Sequence, residues 1–496
     1  MYKKTLSLSI FAALVLTGCQ ADTQAQQITK TQYDVIIYNA NVIDVETGKI
    51  RVNAVIALDD DKIALVGDES LLDTNQATRM FDAENKYVIP GLWDMHVHFE
   101  GENLIKDNAD LFPVYIAYGI TTVRDAASDL GEQVLDWRDQ INSGEILGPQ
   151  IYTAGRKLEG IDSIWKGDLE IGNTKELNDA LDYLDLKDVD FIKMTANTLE
   201  PDLFVEGVKA SKARGYKVSA HIPQKATVEM VVDAGVSSIE HASYMLRLGI
   251  PNEAELIAKI NAGEIKSSAA RKLYVSEFDQ TLANKRYQAL AAKGVAITPT
   301  LIGGKQLAYL DENDHADDDF KKYLTAEFMS HYAWRIERMG KRTPEQIQAS
   351  KARYQLIASQ IPHLEEAGVL VMAGSDSAAL NTFVYPAMAL HEELTLFQDA
   401  GVKPLQILQA ATINGAKFMG VKDIIATIAV NKEADLVILN SNPLVDIHAT
   451  QDIFAVVNNG QLLERKVLDK LLATAAKQKI ELDVTRANDS AVDVRL

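Results

Sequence analysis

The chain reads as an α/β protein: a TIM-type (β/α)8 barrel carrying a small β-sandwich-like module formed by its N- and C-terminal segments. Three observations predict this. Through residues 90–424, short apolar strands alternate with helical segments ending at Gly, the pattern of a parallel sheet or barrel. Eight such strands can be counted, the number that closes this kind of barrel. β-branched runs broken by Asn, Gly and Asp turns stand near both ends of the chain, in 33–89 and 425–470, and are expected to share one module. A length of 496 residues suits one large barrel plus a smaller unit. Lys and Arg total 50 against 70 Asp and Glu, a formal charge of −20. That balance excludes a nucleic-acid partner, which would need a concentrated basic surface.

The elements follow in order. Residues 1–18 combine the basic "MYKK" with a short apolar run, "TLSLSIFAALVL", too short to cross a bilayer as a mature helix. With "LTGC" they resemble a bacterial lipoprotein signal. The resemblance implies lipidation of Cys19, the only cysteine, and a periplasmic protein touching the outer membrane through that anchor alone. With no second thiol, the chain has no internal disulfide and no other Cys ligand for a metal. Residues 19–32 are polar and aperiodic, a flexible tether. Then come "YDVIIYNANVIDVETGKI" and "NAVIALDDDKIALVG" of the β-module.

The eight barrel strands are "LWDMHVH" (92–98), "GITTVRD" (119–125), "QIYTAGR" (150–156), "DFIKMTA" (190–196), "KVSAHIP" (217–223), "SSIEHAS" (237–243), "VAITPTL" (295–301) and "VLVMAGSD" (369–376). Residues 303–365, charged and helical, exceed what a βα return needs and form either a lid over the barrel mouth or a solvated insertion. The lid is favoured because such insertions fall at the end that carries the chemistry. Residues 471–496 are read as a C-terminal tail.

In such barrels the chemistry sits at the C-terminal ends of the strands. There the chain offers His96 and His98, Lys193, His221, His241 and Asp376 in chain order. His96 and His98 are two residues apart, so a strand points both imidazoles to one face, where they can share a metal ion. Each residue alone has an ordinary reading: a core histidine, a snorkelling lysine, a turn aspartate. Six accidents in one order at matching strand ends are much less economical than one site. His315, His331, His363, His391 and His448 fall in helical or loop contexts and receive no role.

This order, with "VIPGLWDMHVH", "GITTVRD", "SIEH", "AGSDS", "LQAATINGAKFMG" and "EADLVILNSNPL", resembles the amidohydrolase superfamily, in the branch of imidazolonepropionase and secreted Xaa-Pro dipeptidases of prolidase type. The likeness runs from about residue 33 to about residue 465. It implies a metal-dependent hydrolase with two divalent ions. His96, His98 and Asp376 would hold one, His221 and His241 the other, and carboxylated Lys193 both. Imidazole and carboxylate ligands suit Zn²⁺, and also Mn²⁺, Fe²⁺ or Co²⁺. Asp376 would be the catalytic proton carrier for a metal-bridging hydroxide. The likeness has departures: "AHIPQ" lacks the Gly-containing turn usual after the fifth-strand histidine, "KMTAN" lacks glycines after the lysine, and "ATIAVN" alters a late turn. These touch the substrate pocket and no ligand.

The implied substrate is a small amide: a Xaa-Pro dipeptide or an N-acyl amino acid. Arg124, Arg156 and Tyr244, at or just after strand ends, are candidates to hold its carboxylate, with Asp125 a ready partner for a purely structural Arg124. A cyclic amide or lactone hydrolase of the same fold is the rival reading, and a non-catalytic metal-dependent binding lipoprotein is the rival of another class. The sequence is compatible with a homo-oligomer.

Overall fold

A computed structural model describes residues 32–72 and 77–493. Cys19, the signal segment and all of the tether but Gln32 lie outside the described residues. Among the described residues no helix is long and apolar enough to cross a membrane.

Both ends of the chain build one eight-stranded sheet. Its N-terminal part runs through Tyr33–Ile43, Ile50–Asp59 and Lys62–Asp68, with Ala77–Asp82 and Tyr87–Pro90 both parallel to the first strand. Tyr87–Pro90 pairs antiparallel with Leu436–Leu439, and Ile453–Asn458 and Gln461–Glu464 follow. The sheet branches at its first strand and folds over a shared core, in which Ile37, Ile56 and Leu58 meet Leu436, Ile438 and Val457. The last hairpin turns at Asn459 and Gly460, both at positive φ, as an Asn-Gly turn favours. Gly460 packs so tightly on the other hairpin that a Cβ there would stand 1.9 Å from the Asp60 carbonyl oxygen.

The second part is an α/β fold of the TIM-barrel type. Leu92–Val97, Ile120–Asp125 and Gln150–Thr153 form a parallel three-stranded sheet. Ile192–Met194, Val218–Ala220, Ser238–Glu240 and Ala296–Thr298 run parallel in a second sheet, extended by the two-residue strands Leu158–Glu159 and Leu169–Glu170. The strands are shorter than expected, because the segments leave the ladder where they reach the site. The expected eighth strand, 369–376, forms no regular ladder. It still joins the two sheets: Met372 N donates to Ile297 O, Met95 N to Ala373 O and His98 N to Ser377 O. Gly374 and Asp376 explain the irregularity. A Cβ at Gly374 would lie 2.8 Å from His96 N, and Asp376 has φ 60°. Between the third and fourth strands, a ladder bond is replaced by the Asp190 carboxylate, which accepts from Thr153 N at 2.8 Å.

The 303–365 segment is helical, as expected, and carries Ala333–Met339 and Pro344–Ala358. The expected tail is a helix, Arg465–Asp493. It buries Leu468 and Ala475 and packs on the helix Ile105–Ala117, where Arg486 meets the buried Asp107 at 2.5 Å. A segment without a strong apolar period of its own takes helical geometry through its packing.

Candidate metal centre

Strand alternation sets the first ligands. Trp93 and Met95 pack outward with Ala416 and Phe418, so Asp94 and His96 point the other way and are fully buried. His98 follows just beyond the strand. One ligand atom each from His96, His98 and Asp376 falls within a 4.8 Å cluster. Asp376 Oδ1 lies 3.2 Å from His98 Nε2 and 3.5 Å from His96 Nε2. His221 and His241, one residue past the fifth and sixth strands, face each other with Nε2 atoms 2.9 Å apart.

Three of these imidazoles are held at Nδ1 and present Nε2 to the cluster. His96 Nδ1 is 2.8 Å from the Glu240 carboxylate, His98 Nδ1 is 2.6 Å from Ala127 O, and His241 Nδ1 is 2.6 Å from Thr300 Oγ1. Such outer partners fix a metal-binding ring in orientation and tautomer. The backbone is strained around them: Ala127, His241, Thr300 and Asp376 all have positive φ. Residues with a Cβ avoid that region unless their surroundings enforce it, and they gather at working sites.

Burial shapes the charges. It drives His96 down to about 3 and His241 to about 4, with the Lys193 charge adding to the shift in both, and it drives His221 lower than its ordinary value too. All three are therefore neutral near pH 7, the state that binds metal. Burial alone would raise Asp376, but the His98 hydrogen bond and the surrounding histidines hold it far below the usual carboxylate range. Lys193 is pushed down to about 8, mainly by burial. Its Nζ and His96 Nε2 are buried with no hydrogen-bond partner. Buried polar atoms are normally satisfied, so two orphans aimed at one imidazole–carboxylate cluster fit a divalent cation there.

The structure brings the six sequence-predicted residues to one place. Of the three substrate candidates, it engages Arg124 and Arg156 with protein groups and leaves Tyr244 beside His221. Arg124 is a correction: it is fully buried, Nε donating to Met95 O and Nη2 to both oxygens of Glu240. Its partner is Glu240, whereas Asp125 accepts from Phe99 N and Thr153 Oγ1. Arg156 donates to Gly167 O and reaches Glu132 at 3.5 Å, away from the cleft wall. Tyr244 lies beside His221, ring centroids 6.1 Å apart.

The cleft has two lobes, of about 540 and 450 Å³, that meet at His221, His241 and Asp376. Lys157, Trp165, His331 and Trp334 line the first, and Trp165 closes on Trp334 with centroids 5.5 Å apart. The 303–365 segment thus walls the site and brings His331, given no role above, to it. Glu240 and Asp94 were legible, as lone carboxylates inside apolar strands. Thr300 and Trp334 carry no such mark, because loop geometry alone places them.

The sequence profile of the amidohydrolase family matches residues 87–464. The crystal structure of a Xaa-Pro dipeptidase with methionine bound in its active site superposes with TM-score 0.63 at 20% identity, over 87% of this chain and 99% of that one. The 5'-deoxyadenosine deaminase of Methanosarcina barkeri is 23% identical over 501 residues, 92% of this chain and 99% of that protein. An adenine deaminase of Thermosipho africanus is 33% identical over 129 residues, and the matched stretch spans only 21% of that protein's length.

Proposed function

Since the chain belongs to the amidohydrolase family, we propose that it is a metal-dependent hydrolase that cleaves a carbon–nitrogen amide bond, with a dipeptide of Xaa-Pro type or an N-acyl amino acid as substrate. The observation that carries this is the buried cluster of His96, His98 and Asp376, with Lys193 Nζ and His96 Nε2 lacking a hydrogen-bond partner there. His96, His98 and Asp376 would hold one divalent ion, His221 and His241 a second, and Lys193 both as its carbamate. Zn²⁺ suits these ligands. A lysine held partly neutral by burial has the free amine that adds to carbon dioxide, losing a proton as the N–C bond forms. The carbamate is an anionic oxygen donor where a cationic lysine would repel the metal. When bound, the ions supply a Lewis acid and a water ionisable near neutral pH.

The side chains do the rest. Asp376, ionised at rest, accepts the proton of the attacking water and passes it to the departing nitrogen. Glu240, Ala127 and Thr300 keep the imidazoles aimed while charge moves. The apposed Trp165 and Trp334 exclude water from one side of the reacting bond.

The test is turnover of a panel of Xaa-Pro dipeptides, N-acyl amino acids and lactones by Zn²⁺-loaded protein, with and without chelator. Amide turnover that chelator abolishes and Zn²⁺ restores is expected. Turnover of lactones alone selects the rival hydrolase, and binding without turnover selects the binding protein. Elemental analysis is expected to give two ions per chain. One ion with Lys193 unmodified in the mass spectrum defeats the two-metal reading. We also propose a periplasmic, lipid-anchored address through Cys19, resting on "LTGC". Cys19→Ala should then release the chain from the membrane fraction, and a native chain already soluble and unlipidated would refute it.

A further inference from the structure

The second lobe of the cleft holds an unused cation. Arg353 lies on the helix Pro344–Ala358 of the long insertion and lines that lobe together with His221, His241 and Asp376. Among the described residues, no carboxylate, carbonyl or hydroxyl bonds its guanidinium, and its charged neighbour is Arg271, of like sign. The contrast with Arg335, which lines both lobes, is direct. Arg335 Nε donates to Leu380 O at 2.8 Å and its Nη2 to the Asn381 side chain, so two of its donors already hold the wall. Lys157 in the first lobe is likewise committed, to Asp168 at 2.7 Å.

The lobe is of mixed character: Leu301, Leu307, Met339, Ile357 and Val384 line it beside the polar Ser243, Thr300 and Ser350. A partly buried guanidinium to which no carboxylate is bonded is costly unless a ligand brings the counter-charge. Its planar donor pairs match a carboxylate in a two-point contact. A phosphate dianion would require more cations than this lobe offers. Burial and Arg271 both lower the stability of the charged form, and a bound anion relieves both.

Resting on the hydrolase reading above, we infer that Arg353 is the specificity-determining residue that binds the substrate's free carboxylate. The substrate is then an amide with a carboxylate beside an apolar side chain, that end seated in the second lobe. The scissile bond lies over the histidines, and the remaining group enters the lobe of Trp165 and Trp334. The carboxylate-binding role, open to Tyr244 beside His221, then falls chiefly to a residue on the insertion.

The experiment compares the fastest N-acyl amino acid or dipeptide of the panel with its C-terminal carboxamide, using metal-loaded protein. The readout is the ratio of their kcat/KM values. Arg353→Met is expected to lower the carboxylate preference by about tenfold to a hundredfold, as for a lost charge-assisted hydrogen bond. Arg353→Lys should recover part of it, and metal content and circular dichroism report whether each variant folds. An unchanged ratio in Arg353→Met overturns the inference while leaving the hydrolase reading intact. Should no amide be turned over, that reading falls, and Arg353 is judged by calorimetric titration of N-acetyl-L-phenylalanine into the metal-loaded proteins. At least about tenfold weaker binding to Arg353→Met than to the parent supports the inference. Equal binding, or none to the parent, overturns it.

Discussion

The proposed function gives Asp376 two duties, metal ligand and proton carrier, and substitution can separate them. Asn keeps the size and one oxygen but cannot carry a proton. Asp376→Asn should cut turnover by about two to four orders of magnitude, the scale of general acid–base catalysis, while retaining most of the metal. Near-normal turnover at full metal content would reduce Asp376 to a ligand. Glu240 poses a different problem. It sits between His96 Nδ1 and Arg124, all fully buried, with the Ser219 and Ser238 hydroxyls on its other oxygen. Burial would raise Glu240, but Arg124 first and then His96 hold it well below the ordinary range. Glu240→Leu strands a buried guanidinium, so urea unfolding should show a loss of about 3 to 5 kcal/mol. Glu240→Gln keeps a hydrogen-bond partner, and its deficit should appear as about tenfold to a hundredfold weaker metal binding. Equal stability of the Leu variant and the parent would mean that Arg124 finds another partner.

At the scale of elements, the legible and the hidden divide on a physical line. Seven of the eight expected barrel strands are present because an apolar run on a parallel strand is buried on both faces and reads as one. The eighth was legible as chemistry, "AGSDS", and not as geometry, since Gly374 and the positive φ of Asp376 bend it out of the ladder. The proposed ligands could be read from their order along the chain. Arg353 could not, because an arginine on a charged helix looks like a solvated one until the helix folds over the cleft. The final helix was hidden for a related reason: its packing partner lies far away in sequence, on Ile105–Ala117. Arg486→Met tests that docking. It leaves the Asp107 carboxylate buried without its cation, and a loss of about 1 to 3 kcal/mol is expected by thermal or urea unfolding. A change within error would show that Thr325, which also reaches Asp107, suffices.

Over the whole molecule, stability should respond to acid through groups outside the candidate metal centre. His391 is fully buried in the helix Met388–Asp399, 2.8 Å from Tyr118 O. Burial lowers its pKa to about 4 from the ordinary 6.5, against the Tyr118 hydrogen bond. Between those values the unfolded chain binds a proton that the folded chain refuses. Stability therefore falls as pH drops from 6.5 to 4, by about 2 to 3 kcal/mol from this one residue, and the loss levels off below. Urea titrations of the parent and His391→Gln at pH 7 and pH 4.5 measure it. The difference between the two proteins should shrink or reverse at the lower pH, and a difference independent of pH would mean that His391 stays neutral in both states.

The branched sheet also sets an order of events during synthesis. Tyr87–Pro90 emerges from the ribosome early, yet its antiparallel neighbour Leu436–Leu439 appears only when nearly the whole chain has been made. Until then the N-terminal strands present an open edge, the kind of surface that recruits other strands. The barrel must assemble with its foundation half built, and the nascent protein is most exposed to misassociation throughout that interval. A chain released before residue 436 would keep every proposed metal ligand and still lack the strand that seals its first sheet.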